Sequence, residues 1–208
     1  MGKAKRKRMP EAKRKDQIAH IAAEMFARKG FAGTTVKEIA DRAGVSEPMI
    51  FKLFGSKDGL HRHLPETQEI SQFRERFYAE LARRAEADDD EGVCRLIAET
   101  VLKRHLNDDT FTRLSLFGAL ENHEATKDMF EEHVRPFFRY LADYIKRRAA
   151  VGAFADADPD VAARAFIGML GYFIILRQLY DERGSKRVGV KRAAETFTRL
   201  FLNGIKKR

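Results

Sequence analysis

The 208-residue chain has no tryptophan and a single cysteine, Cys94. One thiol excludes an internal disulfide framework and any metal site built from several cysteines. Long apolar runs are also missing. The longest, Ala165 to Leu176, lies between Arg164 and Arg177 and falls short of the ~18–20 residues that cross a bilayer. It reads as a buried helix, and no membrane partner is expected. The N-terminus is basic but is not followed by the apolar core of a signal peptide, so the expected location is the cytoplasm. Enzymatic signatures are absent as well: there is no Gly-x-Ser-x-Gly, phosphate-binding glycine loop or dinucleotide fingerprint. A di-iron carboxylate bundle needs Glu-x-x-His pairs on one inner helix face. None of the six histidines has a glutamate at that spacing, and Asp58-x-x-His61 comes nearest. His61 and His63 fall on different sides of a helix and read as solvated, Glu131-Glu132-His133 lacks metal spacing, and Cys94 reads as a small buried residue. Neither an enzyme nor a cofactor is expected.

Hydrophobic residues make up 44% of the chain and charged ones 34%, enough for a packed core under a soluble surface. The charge is unevenly placed. Residues 1–15 hold eight basic side chains against Glu11 alone, whereas residues 16–60 carry six of each sign. Such a run is either a solvated tail or an arm that follows phosphates and releases counterions. The residues behind it favour the second reading. Ile18, Ile21, Ala22, Met25 and Phe26 form an amphipathic stripe, which predicts a helix from about Asp16, its N-cap, to Lys29, with Gly30 as a left-handed stop. Thr35-Val36-Lys37-Glu38 is a capping box. Val36, Ile39, Ala40 and Ala43 give a second, short helix that Gly44 ends. Ser46 caps a third, Glu47 to Phe54, with Pro48 in its first turn, where a missing N–H costs little. Two short helices around a Gly44-Val45 turn make a helix-turn-helix, and the open side of the second suits a major groove.

Lys15 to Leu60 resembles the DNA-binding domain of the tetracycline-repressor (TetR) family. The resemblance rests on Phe26-Ala27-Arg28-Lys29-Gly30-Phe31, Thr34-Thr35-Val36-Lys37-Glu38-Ile39-Ala40, Ala43-Gly44-Val45-Ser46 and Phe54-Gly55-Ser56-Lys57-Asp58-Gly59-Leu60. It implies an all-α protein with a three-helix DNA-binding head and a larger helical body that dimerises and commonly binds a small ligand. Two positions depart from the family pattern: Phe51 stands where a phosphate-contacting tyrosine is usual, and Leu53 where a histidine is frequent.

The expected division is a basic arm over residues 1–12, a DNA-binding domain over 13–60 with its motif at about 35–54, and a six-helix body over 61–208. Thr34, Thr35 and Lys37 are placed to meet phosphate at a helix start. Ser46, Glu47, Pro48, Met49 and Lys52 are the groove-facing candidates: Glu47 for a cytosine amino group, Lys52 for guanine, Pro48 and Met49 for thymine methyls. Phe51 can press on a sugar or a methyl, and Lys57 resembles the family's phosphate-binding lysine. The arm is expected in the flanking minor groove.

Beyond residue 60, helices are predicted at about 58–86, 92–106, 110–122, 125–151, 158–182 and 189–206, with a kink at Pro136. Ala165, Gly168 and Gly171, with Ala193, Ala194, Phe197 and Phe201, form the expected homodimer surface as a four-helix bundle about a two-fold axis. Phe73, Phe77, Phe111, Phe117, Phe137, Phe138, Tyr140 and Phe166, with His105, Arg113 and Asn122 for polarity, either pack a plain core or line a pocket for a hydrophobic or aromatic effector. The function expected is an effector-released repressor that binds double-stranded DNA at a palindromic operator. Sequence-independent architectural DNA binding is the alternative that a comparison of duplexes separates.

Overall fold

Thr35 sets where α2 begins. Its hydroxyl accepts from the Glu38 amide at 3.2 Å, and the Glu38 carboxylate accepts from the Thr35 amide at 2.9 Å, so the capping box closes in both directions. Helix α2 runs Val36–Ala43 and Gly44 ends it in the left-handed conformation, φ 64° and ψ 37°. Helix α3 follows as Glu47–Phe54. Before them, α1 spans Glu11–Lys29, starting a turn earlier than the predicted Asp16. Pro10, with φ −55°, precedes it, and Ala12, Lys13, Arg14 and Lys15 are strong helix formers that extend the amphipathic segment backward. Gly30 has a positive φ of 74° as expected, but ψ is 171°, a region open essentially to glycine alone rather than the left-handed helical one.

The computed structural model describes residues 9–64, 68–180 and 187–207; residues 1–8 of the basic arm lie outside the described residues. Helix α4 is Lys57–His63 and α5 is Gln68–Glu86; the single helix expected over 58–86 includes residues 65–67, which lie outside the described residues. Helices α6 (Asp90–Asn107) and α7 (Thr110–Leu120) follow. Helix α8 (Glu124–Met129) leads through a π-helical turn, Phe130–Val134, into α9 (Arg135–Ala150). Pro136 cannot donate to the carbonyl four residues earlier, and the turn before it is widened. Helices α10 (Pro159–Gln178) and α11 (Val190–Ile205) complete the described chain. The only strand-like feature among the described residues is a bridge between Phe154 and Lys206.

The chain divides into two compact units that do not follow the linear boundary drawn at residue 60. One comprises residues 1–72 and 113–129, the other 73–112 and 130–208. The first, the head, is built on Ile18, Ala22, Phe26, Ile39, Ile50, Leu60 and Leu64, and Leu114 of α7 joins this core. Its membership is in keeping with the grouping of 113–129 with the head: α7 adds Leu114 to an apolar cluster drawn from α1 to α4.

The second unit, the body, packs Leu81, Ile97, Leu102, Leu141, Ile145, Phe166 and Leu170 into a second core. At its edge Asp90 is buried and accepts from Tyr144 Oη at 2.6 Å and Arg148 Nε at 2.7 Å. Burial and the Asp90 carboxylate raise the Tyr144 hydroxyl far above its ordinary value. Helix α10 buries Ala163, Phe166, Leu170 and Ile174, while Val161, Ala165, Gly168 and Tyr172 lie along an exposed side. Those four positions, spaced at four, three and four residues, share one helix face.

Candidate nucleic-acid interface

Helix α3 has one buried residue, Ile50, fully withdrawn into the head core. At 3.6 residues per turn, Pro48 and Lys52 point directly away from it, with Met49 and Phe51 to either side. All four are exposed; Met49 is 39% and Phe51 47% accessible, although both are large and apolar. Such residues rarely stand together in water without a partner. Ser46 holds the N-cap position with extended backbone, and its carbonyl accepts from Met49 at 3.0 Å. Its hydroxyl makes no capping bond, contrary to the role expected of it. That leaves an exposed hydroxyl at the start of the helix, beside half-buried Glu47. Thr35 and Lys37 are exposed at the start of α2, and the Thr35 hydroxyl is engaged in the capping box.

Thr34 is not part of this surface. It is 0% exposed, and its hydroxyl donates to Gly30 O at 2.9 Å and to Met25 O at 3.3 Å. A buried hydroxyl with two carbonyl acceptors is a structural tie, and the phosphate contact expected of Thr34 is withdrawn.

Lys57 also differs from expectation. Its Nζ donates to Phe31 O at 2.7 Å and Thr34 O at 2.8 Å, and it lies 4.1 Å from the centre of the Phe31 ring. An ammonium has three N–H donors, and two of them are committed to holding the α1–α2 loop.

Sequence reasoning missed the interior of the head. His61, expected to be solvated, is 2% exposed, with ring centroids 5.5 Å from Phe26, 5.6 Å from Phe31 and 5.3 Å from His123. The available signal was its place beside Leu60 on the short stripe that ends at Leu64. Burial, with repulsion from His123 and Arg62 outweighing Asp58, lowers the His61 imidazole from 6.5 to about 4. The unfolded chain therefore binds a proton more readily between those values. The stability that neutral His61 contributes is complete above pH 6.5 and is lost as pH falls toward 4. Across that window the loss is on the order of 2–4 kcal/mol. Thermal melting from pH 7 to 4.5 is expected to fall more steeply for wild type than for His61→Phe; superimposable profiles would refute this assignment.

In the body, the proposed effector residues are distributed unevenly. Phe73, Phe77, Phe137, Phe138 and Tyr140 are half-buried, with Phe73 stacked on Phe77 at 6.2 Å and Phe77 against Phe137 at 6.0 Å. His105 meets Phe111 at 5.2 Å and Thr112 Oγ1 at 3.3 Å, and burial lowers it to about 4, which keeps it neutral at pH 7. Phe166 is fully buried against Phe201 at 4.7 Å and belongs to the core. Arg113, Phe117 and Asn122 fall in the head unit. Cys94 is buried and its thiol is pushed up to about 12, which makes it inert as a nucleophile. No cluster of three metal-ligating side chains occurs among the described residues.

Residues 18–64 match the family described as bacterial regulatory proteins, tetR family. Residues 95–204, more than half the chain, match the C-terminal domain of AefR-like transcriptional repressors. The HTH-type transcriptional regulator YvkB of Bacillus subtilis is 27% identical over 196 residues, covering 91% of this chain and 95% of that protein. Among solved structures, the fatty acid degradation regulator FadR of Bacillus halodurans superposes with a TM-score of 0.74 at 20% identity, over 92% of this chain and 99% of that one. The ketosteroid transcriptional regulator KstR2 of Mycobacterium tuberculosis gives a TM-score of 0.62 at 19% identity, over 94% and 96%. With a capped helix-turn-helix at residues 36–54 and matches over both head and body, the chain belongs to the TetR family of helix-turn-helix transcriptional regulators and is not an enzyme.

Proposed function

We propose that two copies of the chain bind a palindromic operator in double-stranded DNA and that a hydrophobic or aromatic small molecule releases them. The observation that carries this reading is α3 itself: Ile50 is clamped inside while Pro48, Met49, Phe51 and Lys52 face outward together. Lys52 suits guanine and the apolar side chains suit thymine methyls. Thr35 and Lys37 serve phosphate, and the arm over residues 1–12 follows the neighbouring minor groove. In a dimer the two α3 helices enter successive major grooves about 34 Å apart or a multiple of it.

Dimerisation is supported by α10, which is apolar along its length and exposes Val161, Ala165, Gly168 and Tyr172. On α11, Ala193, Ala194 and Phe201 are buried within their own body, and half-buried Phe197 packs on Phe173 at 5.6 Å. The surface for a partner therefore shifts to Leu200 and Gly204, both exposed, alongside the α10 face that includes Gly171. The half-buried aromatics of the body suit an apolar effector, in keeping with the fatty acid and ketosteroid regulators among the structural neighbours. Such a ligand shifts the population only by its difference in affinity for the two states. A soluble regulator of this kind acts in the cytoplasm and has no membrane partner.

Selection of bound duplexes from a random pool tests the reading. A palindrome preferred over unrelated duplexes by several kcal/mol is the expected result. Equal retention of all duplexes would indicate architectural binding, and no retention in dilute buffer would refute DNA binding altogether.

A further inference from the structure

The loop between α1 and α2 is tied down at nearly every polar group. Lys57 takes the carbonyls of Phe31 and Thr34, and Thr34 Oγ1 donates to Gly30 O. Thr35, the next residue, is the N-cap of α2. One donor in this loop is satisfied from far away in the chain: the Phe31 amide donates to Glu121 Oε2 at 3.1 Å. Glu121 and His123 belong to the turn between α7 and α8. That turn is closed by Glu121 N to Phe117 O at 2.8 Å and His123 N to Gly118 O at 2.9 Å, with Asn122 at φ 56°. The His123 ring lies on Phe31, 3.7 Å between centroids, and its Nε2 is 3.3 Å from Asp58 Oδ1. Arg62 pairs with Asp128 at 3.2 Å on the same side. The approach is so close that a Cβ on Gly30 would displace the Glu121 carboxylate.

We infer that Glu121 and His123 are positioning residues for DNA binding: they fix the Gly30–Thr34 loop and, through it, the start of α2 against which α3 is set. The inference rests on the proposed operator binding. His123 is packed on Phe31, and Glu121 carries the wrong charge to meet phosphate. That charge makes the test a matter of sign. Removing an anion from a DNA-binding head strengthens attraction to phosphate, whereas loss of positioning weakens binding.

The full-length protein is measured by fluorescence anisotropy on the duplex selected from the random pool, with wild type first. Failure of wild type to select a duplex refutes the DNA-binding reading and with it this inference. With wild type bound, Glu121→Ala is expected to bind at least five-fold more weakly, although it is less acidic. Glu121→Gln, which keeps an acceptor oxygen for Phe31, is expected to rescue the loss. The Phe31 amide resonance supplies an independent readout in the folded protein. It is expected to move upfield in Glu121→Ala and to hold its place in Glu121→Gln. Equal or tighter binding by Glu121→Ala, or an unmoved Phe31 resonance, overturns the assignment while leaving operator binding intact.

Discussion

Gly168→Arg is expected to leave the chain folded and to weaken operator binding by about 100-fold or more. Gly168 is exposed near the middle of α10, and a Cβ built there meets nothing within 4 Å. Within one chain the substitution is therefore sterically free, and it adds a solvated side chain to a helix interior where glycine costs about 1 kcal/mol relative to alanine. In a dimer built on the Val161, Ala165, Gly168 and Tyr172 face, the same side chain places a long cation where two helices meet closely. Two linked heads gain about 10²–10⁴ in avidity over one, and a monomer forfeits that gain. Sedimentation velocity at micromolar concentration and anisotropy on the selected operator read the two effects separately. A Gly168→Arg protein that stays dimeric, or a monomer that binds as tightly as wild type, would sink the proposed interface.

Arg148→Met is expected to have the largest effect on stability. Arg148 and Asp90 form a nearly dry ion pair in the body, with guanidinium contacts of 2.7 and 3.1 Å. Tyr144 satisfies Asp90 further at 2.6 Å. Deleting one partner of such a pair leaves a buried charge without its counter-ion, at a cost of about 3–5 kcal/mol. The Tyr144 hydrogen bond remains, which points to the lower end of that range. For a chain of this size, about 3 kcal/mol corresponds to a fall in melting temperature of roughly 6–12 °C. Combining Asp90→Leu and Arg148→Met with Tyr144→Phe removes both charges and the hydroxyl bonded to Asp90, and should recover most of the loss, because the desolvation cost disappears with the attraction. A single variant melting within 2 °C of wild type, where ~3 kcal/mol was expected, would show the pair to be solvated.

The head was legible because its signals are local. A capping box, a glycine at a left-handed stop and a stripe at helical spacing each operate within a turn or two of chain. Helices α2 and α3 accordingly fall at the predicted residues. The α1 start was misjudged because Asp16 is a good cap in isolation, whereas the good helix formers between Glu11 and Lys15 outweigh it. The body was less legible at its breaks. The π-helical turn at Phe130–Val134 divides a segment whose apolar periodicity continues across it, so periodicity alone does not mark it.

The roles of individual polar side chains were the least accessible. Thr34 and Thr35 are neighbours with the same hydroxyl, yet one is buried between two carbonyls and the other is an exposed cap. His61 and His63 are two residues apart, and His61 lies inside an aromatic cluster that includes a ring from residue 123. For the two threonines nothing nearby in the chain announces the difference, and for His61 the only local mark is its place beside Leu60.

What the amino-acid order determined by itself was the all-helical class, the helix-turn-helix and its outward-facing side, since these depend on backbone preferences and periodicity within short windows. Tertiary structure alone decided that residues 113–129 group with the head, that Lys57 and Glu121 hold its first loop, and that Ala193, Ala194 and Phe201 are claimed by their own body. Burial and hydrogen-bond partnership are settled by whichever segment arrives from a distance, and such contacts leave no mark on the local sequence.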